Sequence, residues 1–161
     1  MLVPVNISRL LIREMADSQF VTLQEVGGSR SFPIAIGLGE AFAIERRMGG
    51  GVPPRPQTHD LLESVITTLG AAVVRIEIHD LDAGTFHARL VLEHEGALIE
   101  VDSRPSDAIA LGVATETPIF VEDSVIEQAV VDSNIDGPPD GNSPDSSGLE
   151  DDFDDDDSEF R

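Results

Sequence analysis

Apolar and polar residues alternate in two groups of segments along this chain, which is the pattern of strands with one buried face. The first group covers residues 3–14, 20–26 and 31–36. The second group predicts an antiparallel meander with one solvent-exposed face and one buried face. It covers residues 74–79, 85–92 and 99–102. Pro33 lacks an amide donor, so its segment is expected to be an edge strand or a strand start. A short apolar run at 118–121 predicts a further buried strand.

Apolar residues at helical spacing predict four helices. They cover residues 37–48, 58–69, 107–114 and 124–131. In the first helix Leu38 and Phe42, with Ala41 and Ile44, are expected to face the core. The second helix carries one apolar stripe that is expected to pack inward, made of Leu61, Leu62, Val65, Ile66 and Leu69. Together these elements predict an α+β domain with a mixed, largely antiparallel sheet and three to four helices.

The composition changes sharply at Asp132. The 161-residue chain carries a formal net charge of -21. Residues 132–161 contain twelve acids and one arginine, and are otherwise rich in Gly, Pro, Ser and Asn. Such a segment lacks the apolar surface that would offset its ordering entropy. We therefore expect a single domain at 1–131 and a disordered acidic tail at 132–161, whose partner the sequence does not identify.

Some classes of site and location are excluded or disfavoured by composition. Cysteine is absent, which excludes disulfides, zinc–thiolate sites and cysteine nucleophiles. The N-terminal segment has neither a basic region nor a long apolar run, so we expect no signal peptide, no membrane span and a cytoplasmic protein. Residues 1–131 contain nineteen acids against nine arginines. This charge opposes nucleic-acid binding, which would need a local arginine patch, a bound metal ion, or both.

Two of the predicted helices begin in clusters of polar residues. The first cluster contains Arg55, Thr58, His59 and Asp60. Thr58 is the expected N-cap and Asp60 suits the helix dipole, so helix capping explains both of these residues. His59 beside a carboxylate is also suited to be a general base or a metal ligand, and Arg55 is not needed for capping. The structural and the functional interpretation both stay open for this cluster.

The second cluster contains Asp102, Arg104, Ser106 and Asp107. Ser106 is the expected N-cap of its helix, and an arginine between two aspartates forms a self-sufficient ion-pair network. If the two clusters meet near Glu40, their carboxylates would supply the oxygen ligands that Mg²⁺ or Mn²⁺ prefers. The four acids of this predicted metal site are Glu40, Asp60, Asp102 and Asp107. Such an ion would bridge an acidic protein to phosphate.

Four segments of the chain resemble the bifunctional nuclease family. They read PIAIGLGEAFAI at 33–44, RPQTHDLLESVITTLGAAVVRIEIHDL at 55–81, TFHARLVL at 85–92 and VDSRPSDAIALGVATETPIFV at 101–121. The resemblance implies a mixed α+β domain, a wedge-shaped homodimer, and hydrolysis of both DNA and RNA. The recurring polar positions of the family fall on Glu40, Arg55, Thr58, His59, Asp60, Asp102, Arg104, Ser106 and Asp107.

The resulting hypothesis is a hydrolase that cleaves phosphodiester bonds of DNA and RNA with metal assistance and little sequence preference. The ion would be held by carboxylates of Asp60, Asp102, Asp107 and Glu40. His59, beside Asp60, would position or deprotonate water, and Arg55 and Arg104 would stabilise charge on the phosphate. The alternative hypothesis is a non-catalytic dimeric binding or regulatory module in which the same polar motifs are structural.

Overall fold

The computed structural model describes residues 1–136 as seven strands, four helices and one short 3₁₀ turn at Val113–Thr115. The strands are β1 (Leu2–Leu11), β2 (Gln19–Glu25), β3 (Ser31–Ile36), β4 (Ala71–Asp82), β5 (Thr85–His94), β6 (Ala97–Ser103) and β7 (Ile119–Glu122). The helices are α1 (Leu38–Met48), α2 (Thr58–Thr68), α3 (Pro105–Gly112) and α4 (Asp123–Asp136). Every strand and helix that the periodicity predicts is therefore present, with boundaries shifted by a few residues.

All seven strands form one sheet in the order β3-β2-β1-β7-β4-β5-β6. Its neighbouring strands are antiparallel except β4 and β7, which pair in parallel. The predicted fold class, α+β with a mixed and largely antiparallel sheet, is confirmed. Pro33 lies on edge strand β3 opposite Thr22, as its missing amide donor predicts. Strand β7 follows α3 in the chain but lies in the middle of the sheet. It pairs there with β1, so the first strand in the sequence is hydrogen-bonded to the last.

One face of the sheet packs against the helices to form the core. The most deeply buried helix is α3, in which residues 108–111 are no more than 1% exposed. Helices α1 and α4 add Ala41, Ile44 and Ile126 to the same apolar cluster. The rings of Phe32 in β3 and Phe86 in β5 stack with centroids 5.7 Å apart. Since four strands separate β3 from β5 in the sheet order, the sheet must curl strongly to bring them together.

The opposite face of the sheet is polar and carries a buried carboxylate. The side chain of Glu77 is only 2% exposed although no helix covers it. Arg75 Nε lies 2.5 Å from one of its oxygens and Arg89 Nε lies 2.7 Å from the other. Burial raises the pKa of Glu77, but the hydrogen bonds from these two arginines outweigh that effect and leave the pKa below its usual value. The arginine stems shield the carboxylate from water while their charges compensate it.

The inward-facing residues predicted for two helices were partly wrong. In α1, Leu38 and Phe42 are exposed, whereas Ala41, Ile44 and Arg47 are buried. Helix α2 contains no buried residue, although Ile66 is partly buried against the core. Its predicted stripe is instead largely exposed, at Leu61, Leu62, Val65 and the following Leu69. The physical reason is that α2 lies on the outside of α3 and β4 and has little sheet beneath it.

The buried face predicted for β6 is likewise missing. Residues Ala97–Asp102 are exposed on both sides of this strand, because it lies at the edge of the sheet and no helix covers it. Helix α4 continues to Asp136, beyond its expected end near 131, so residues 132–136 are helical. The rest of the predicted disordered tail, 137–161, lies outside the described residues. Within residues 1–136, no helix is both long enough and apolar enough to cross a membrane.

Candidate active site at three helix starts

The first turns of α1, α2 and α3 meet through a chain of polar contacts. Arg104 Nη2 donates to Glu40 Oε1 at 2.8 Å, and Arg104 Nε donates to Asp107 Oδ2 at 2.8 Å. The other oxygen of that carboxylate, Asp107 Oδ1, lies 3.1 Å from His59 Nε2. We call Glu40, His59, Arg104 and Asp107 the helix-start cluster. The structure therefore brings together four of the residues that the sequence singles out.

Local sequence explains why these side chains point to one place. Glu40 and Asp107 lie in first turns, where a carboxylate complements the positive end of the helix dipole. Pro105 opens α3 and forces the preceding Arg104 into an extended conformation, with φ -71° and ψ 146°. Arg104 is therefore the N-cap residue of α3, and its side chain lies between two carboxylates that belong to different helices.

The members of the helix-start cluster differ in charge and in exposure to solvent. Burial raises the pKa of Asp107, but hydrogen bonds from Arg104 and His59 outweigh it, so the pKa lies below its usual value. The same ion pairs, to Asp107 and then Glu40, raise the pKa of the Arg104 guanidinium. The His59 side chain is only 14% exposed, whereas that of Arg104 is 64% exposed. Arg104 is thus the member that a bound anion would reach first.

Asp60, predicted as a metal ligand and catalytic residue, makes a different set of contacts. Its carboxylate accepts from Arg46 Nη2 at 2.9 Å, from Arg47, and from the amide of Gln57 at 2.9 Å. Arg47, with a side chain 4% exposed, also donates to the carbonyl oxygens of Ala110 and Leu111. Burial raises the pKa of Asp60, but these hydrogen bonds outweigh it and leave the pKa lowered. Asp60 therefore joins the start of α2 to the end of α1.

Arg46 and Arg47 were not among the site residues predicted from the sequence. Both lie in the last turn of α1, where basic residues complement the negative end of the helix dipole, so a solvent-exposed role is the ordinary expectation for them. A signal was present in the helical spacing, since Arg47 is three residues after Ile44 and thus on the buried side of α1. Arg47 donates hydrogen bonds to two buried carbonyl oxygens near the end of α3.

Both predicted helix caps were wrong. Helix α2 has Gln57 as its N-cap residue, and a capping box closes its start: the Gln57 side chain accepts from the Asp60 amide, and the Asp60 carboxylate accepts from the Gln57 amide. Thr58 is therefore already inside the helix. In α3 the N-cap residue is Arg104, and Ser106 is the second helical residue, 6% exposed and without a capping hydrogen bond. The proline at the first helical position moves the start of α3 toward the N-terminus relative to the prediction.

Asp102 and Arg55 lie outside the helix-start cluster. Asp102 is directly opposite Arg89 in the β5–β6 ladder, and the adjacent pair, Leu90 and Val101, points the other way, toward the core side. Asp102 therefore lies on the polar face of the sheet, away from the helices. Arg55 is exposed in the loop before α2 and has no ion pair among residues 1–136.

The four acids of the predicted metal site consequently occupy three places. Glu40 and Asp107 share Arg104, Asp60 is held by Arg46 and Arg47, and Asp102 is on the other sheet face. In the described part of the chain, no group of three or more His, Asp or Glu residues is arranged to hold a metal ion. The donor set present thus does not fit a dedicated Mg²⁺ or Mn²⁺ site.

The chain is similar to known proteins across the region that contains these contacts. A family model described as the bifunctional nuclease domain matches residues 21–134. Two proteins from two strains of Mycobacterium tuberculosis, each named only as an uncharacterized protein, are 38% identical to this chain over 125 residues. The aligned region covers 78% of this chain and 74% of each relative. The family match includes all three helix starts.

Proposed function

Because this chain belongs to the bifunctional nuclease domain family, we propose that it hydrolyses phosphodiester bonds of DNA and RNA with little sequence preference. The observation that carries the proposal is the helix-start cluster, which joins a histidine, a carboxylate and an exposed arginine across three helices. Phosphodiester hydrolysis needs an activated water molecule and positive charge beside the phosphate. The cluster offers side chains suited to both tasks.

His59 and Asp107 are suited to proton transfer. An ionised carboxylate only accepts hydrogen bonds, so the Asp107 contact places the proton of a neutral His59 on Nε2 and leaves the lone pair on Nδ1. Nδ1 would accept a proton from the water molecule that attacks phosphorus. Asp107 would keep the ring oriented and stabilise the imidazolium that forms, as a carboxylate does for histidine in hydrolytic triads.

Two arginines are suited to hold the phosphate. Arg104 uses Nε and Nη2 in its contacts with Asp107 and Glu40, so Nη1 is left for a phosphate oxygen. Arg55 precedes α2 by three residues and adds a second exposed guanidinium on the same loop that leads to His59. Together Arg104 and Arg55 balance the charges of Glu40 and Asp107, so one or two phosphates would contact a locally neutral site and not the average acidic surface.

A requirement for Mg²⁺ or Mn²⁺ stays a prediction of this proposal. Glu40, Asp60 and Asp107 are already paired with arginine, so the roles above are assigned without a step through a metal ion. Cleavage of a fluorescent oligonucleotide should be measured after dialysis against EDTA and again after addition of each ion. Restoration by Mg²⁺ or Mn²⁺ would support the requirement, and full activity in EDTA would contradict it.

The nuclease proposal is tested by His59→Gln in the full-length chain. If His59 transfers the proton, kcat should fall by about 100-fold or more with DNA, RNA and bis(p-nitrophenyl) phosphate alike. His87→Gln is the matched control, since His87 is an exposed histidine on β5 outside the helix-start cluster. Both variants are purified in the same way, so equal activity in His59→Gln and the control would contradict the role proposed for His59 and with it the proposed site.

A second candidate function is the non-catalytic dimeric module, and two observations favour it. Asp60 is held by Arg46, Arg47 and the Gln57 amide, as expected for a brace. Helix α2 also leaves apolar side chains exposed on a surface that a second copy of the chain would cover, with Leu61 at 58% and Leu69 at 69%. We propose a homodimer through this surface, which is compatible with either function.

The dimer is tested by light scattering coupled to size-exclusion chromatography. Leu61→Glu should shift the wild-type dimer toward monomer, because a charge would be buried in the interface. Val131→Glu on α4 is the matched control, since Val131 is equally exposed at 57% but lies on another helix. A monomeric wild-type protein, or equal effects of the two variants, would contradict this interface.

A further inference from the structure

A cavity of about 430 Å³ opens directly beside Arg104. It lies between the turn before β2, the end of β3, the β4–β5 turn and the start of α3. Curling of the sheet creates it, because the same curvature stacks Phe32 on Phe86 and brings the end of β3 near the start of β5. The volume is within the range of about 300–1,000 Å³ that is usual for small-ligand sites. Arg104 lines this space, whereas His59 and Asp107 do not.

The lining of the cavity has an apolar part and a polar part. Ile34, Ile36 and the ring of Phe86 form the apolar part. Polar groups capable of hydrogen bonding come from Asp17, Ser18 and Thr85, while Arg104 contributes a cation at one side. A flat, partly polar ring carrying an adjoining negative charge matches this combination. A nucleobase with its phosphate has that chemistry.

We propose, on the basis of the nuclease function above, that the cavity binds one unpaired base of a single-stranded nucleic acid while Arg104 contacts the adjoining phosphate. The substrate class is then single-stranded DNA or RNA. In a duplex the bases are stacked and paired, so one of them could enter the cavity only after being flipped out, at a cost of a few kcal/mol.

The charge of the chain favours the same substrate class. A formal net charge of -21 disfavours long contacts with the dense phosphates of a duplex, whose binding depends on many cations and counterion release. A site that combines one base with one phosphate depends less on cations, because part of its binding free energy comes from burying and stacking the base. Such a site suits an acidic protein.

The test measures binding, so that it is separate from catalysis. A short, labelled, nuclease-resistant phosphorothioate strand is titrated with the full-length protein at low salt, alone and annealed to its complement, and fluorescence anisotropy gives Kd. The single strand should bind about tenfold more tightly than the duplex. Ala35→Trp, which places an indole at the cavity lining, should weaken single-strand binding by about tenfold.

Ala97→Trp is the matched control, since Ala35 and Ala97 are both exposed alanines on edge strands, at opposite ends of the sheet. Thr85→Trp provides a second obstruction from another wall in case Ala35→Trp does not fold. Tight duplex binding, or unchanged Kd in the folded cavity variants, would overturn the inference. Hydrolysis of bis(p-nitrophenyl) phosphate, which has no base, reports separately on the nuclease proposal. Its absence beside strand-selective binding would reject that proposal and retain the cavity as a binding site.

Discussion

His59 and Asp107 are 48 positions apart in the sequence, yet Nε2 of one lies 3.1 Å from Oδ1 of the other. This contact joins the starts of α2 and α3, and it is the point at which the two polar motifs of the sequence become one site. Asp107 contacts two residues of the site, because its second oxygen accepts a hydrogen bond from Arg104 at 2.8 Å. Removing its charge should therefore disturb both proton transfer and phosphate binding.

The first prediction compares two aspartates of the DSRPSD motif. Asp107→Asn should lower kcat by about 100-fold, because the amide neither stabilises an imidazolium nor neutralises Arg104. Asp102→Asn should leave kcat within about twofold, because its side chain is on the opposite sheet face and contributes nothing to transition-state binding. Steady-state kinetics on one substrate measure both. Equal, large losses would mean that the two acids act together, as the predicted metal site requires.

The second prediction concerns Asp60 as a brace. Asp60→Ala removes a partner of Arg47, whose side chain is 4% exposed, and should lower the free energy of unfolding by about 2–3 kcal/mol. Urea unfolding followed by circular dichroism measures the change. Asp17→Ala, in an exposed turn, is the control and should be close to neutral. A fully stable Asp60→Ala variant that loses stabilisation by Mg²⁺ would instead support metal binding.

The third prediction concerns the stability of the folded chain at low pH. The pKa values of Asp60, Glu77 and Asp107 are lowered in the folded chain, so these groups bind more protons when the chain unfolds. Their contribution to stability is complete above the unfolded pKa values of about 4 and is lost as pH falls through the lower folded values. Thermal melts from neutral pH downward should show the loss beginning as pH approaches 4.

Glu77→Gln is the variant for this measurement, because Glu77 is the most buried of the three side chains and lies far from the helix-start cluster. It should melt at a lower temperature at neutral pH, since two arginines lose their shared counter-charge. Its melting temperature should also fall less between neutral pH and pH 3 than that of the wild type. A pH dependence identical to wild type would show that this carboxylate is not responsible.

The fourth prediction concerns residues 137–161, which contain ten acids and one arginine. Truncation after Asp136 should tighten binding of single-stranded DNA at low salt, because the removed segment repels phosphate and competes with it for arginine. The difference should shrink as salt is added, since exposed charges are screened. Anisotropy titrations at two ionic strengths measure it. Equal affinity of both forms at low salt would exclude an electrostatic role for the segment.

Periodicity predicted the elements of this fold because most of them carry apolar residues at the spacing of a helix or a strand. Pro33 illustrates how far such reasoning extends, since its missing amide donor predicted an edge strand or a strand start, and β3 is an edge strand. The prediction failed for α2, whose stripe through Leu61 and Leu69 has the pattern of a buried helix. Sequence periodicity reports which face is apolar and does not report what covers that face.

The candidate site was predictable in composition and only partly in geometry. Glu40, His59, Arg104 and Asp107 do meet, as the convergence of helix starts requires. Asp60 instead contacts arginines at the end of α1, because the neighbouring first-turn positions of a helix face different directions. The packing of α1 against α3 determines that His59 contacts the cluster while Asp60 contacts Arg47.

Because α2 has no buried residue, it is expected to unfold locally before the rest of the domain. A segment with no fully buried side chain can detach at a cost well below that of global unfolding, and it carries His59 with it. Amide hydrogens of α2 should then exchange with deuterium faster than those of α3, whose residues 108–111 are no more than 1% exposed. On warming, turnover would cease while the sheet is still intact, and rapid cooling would restore it.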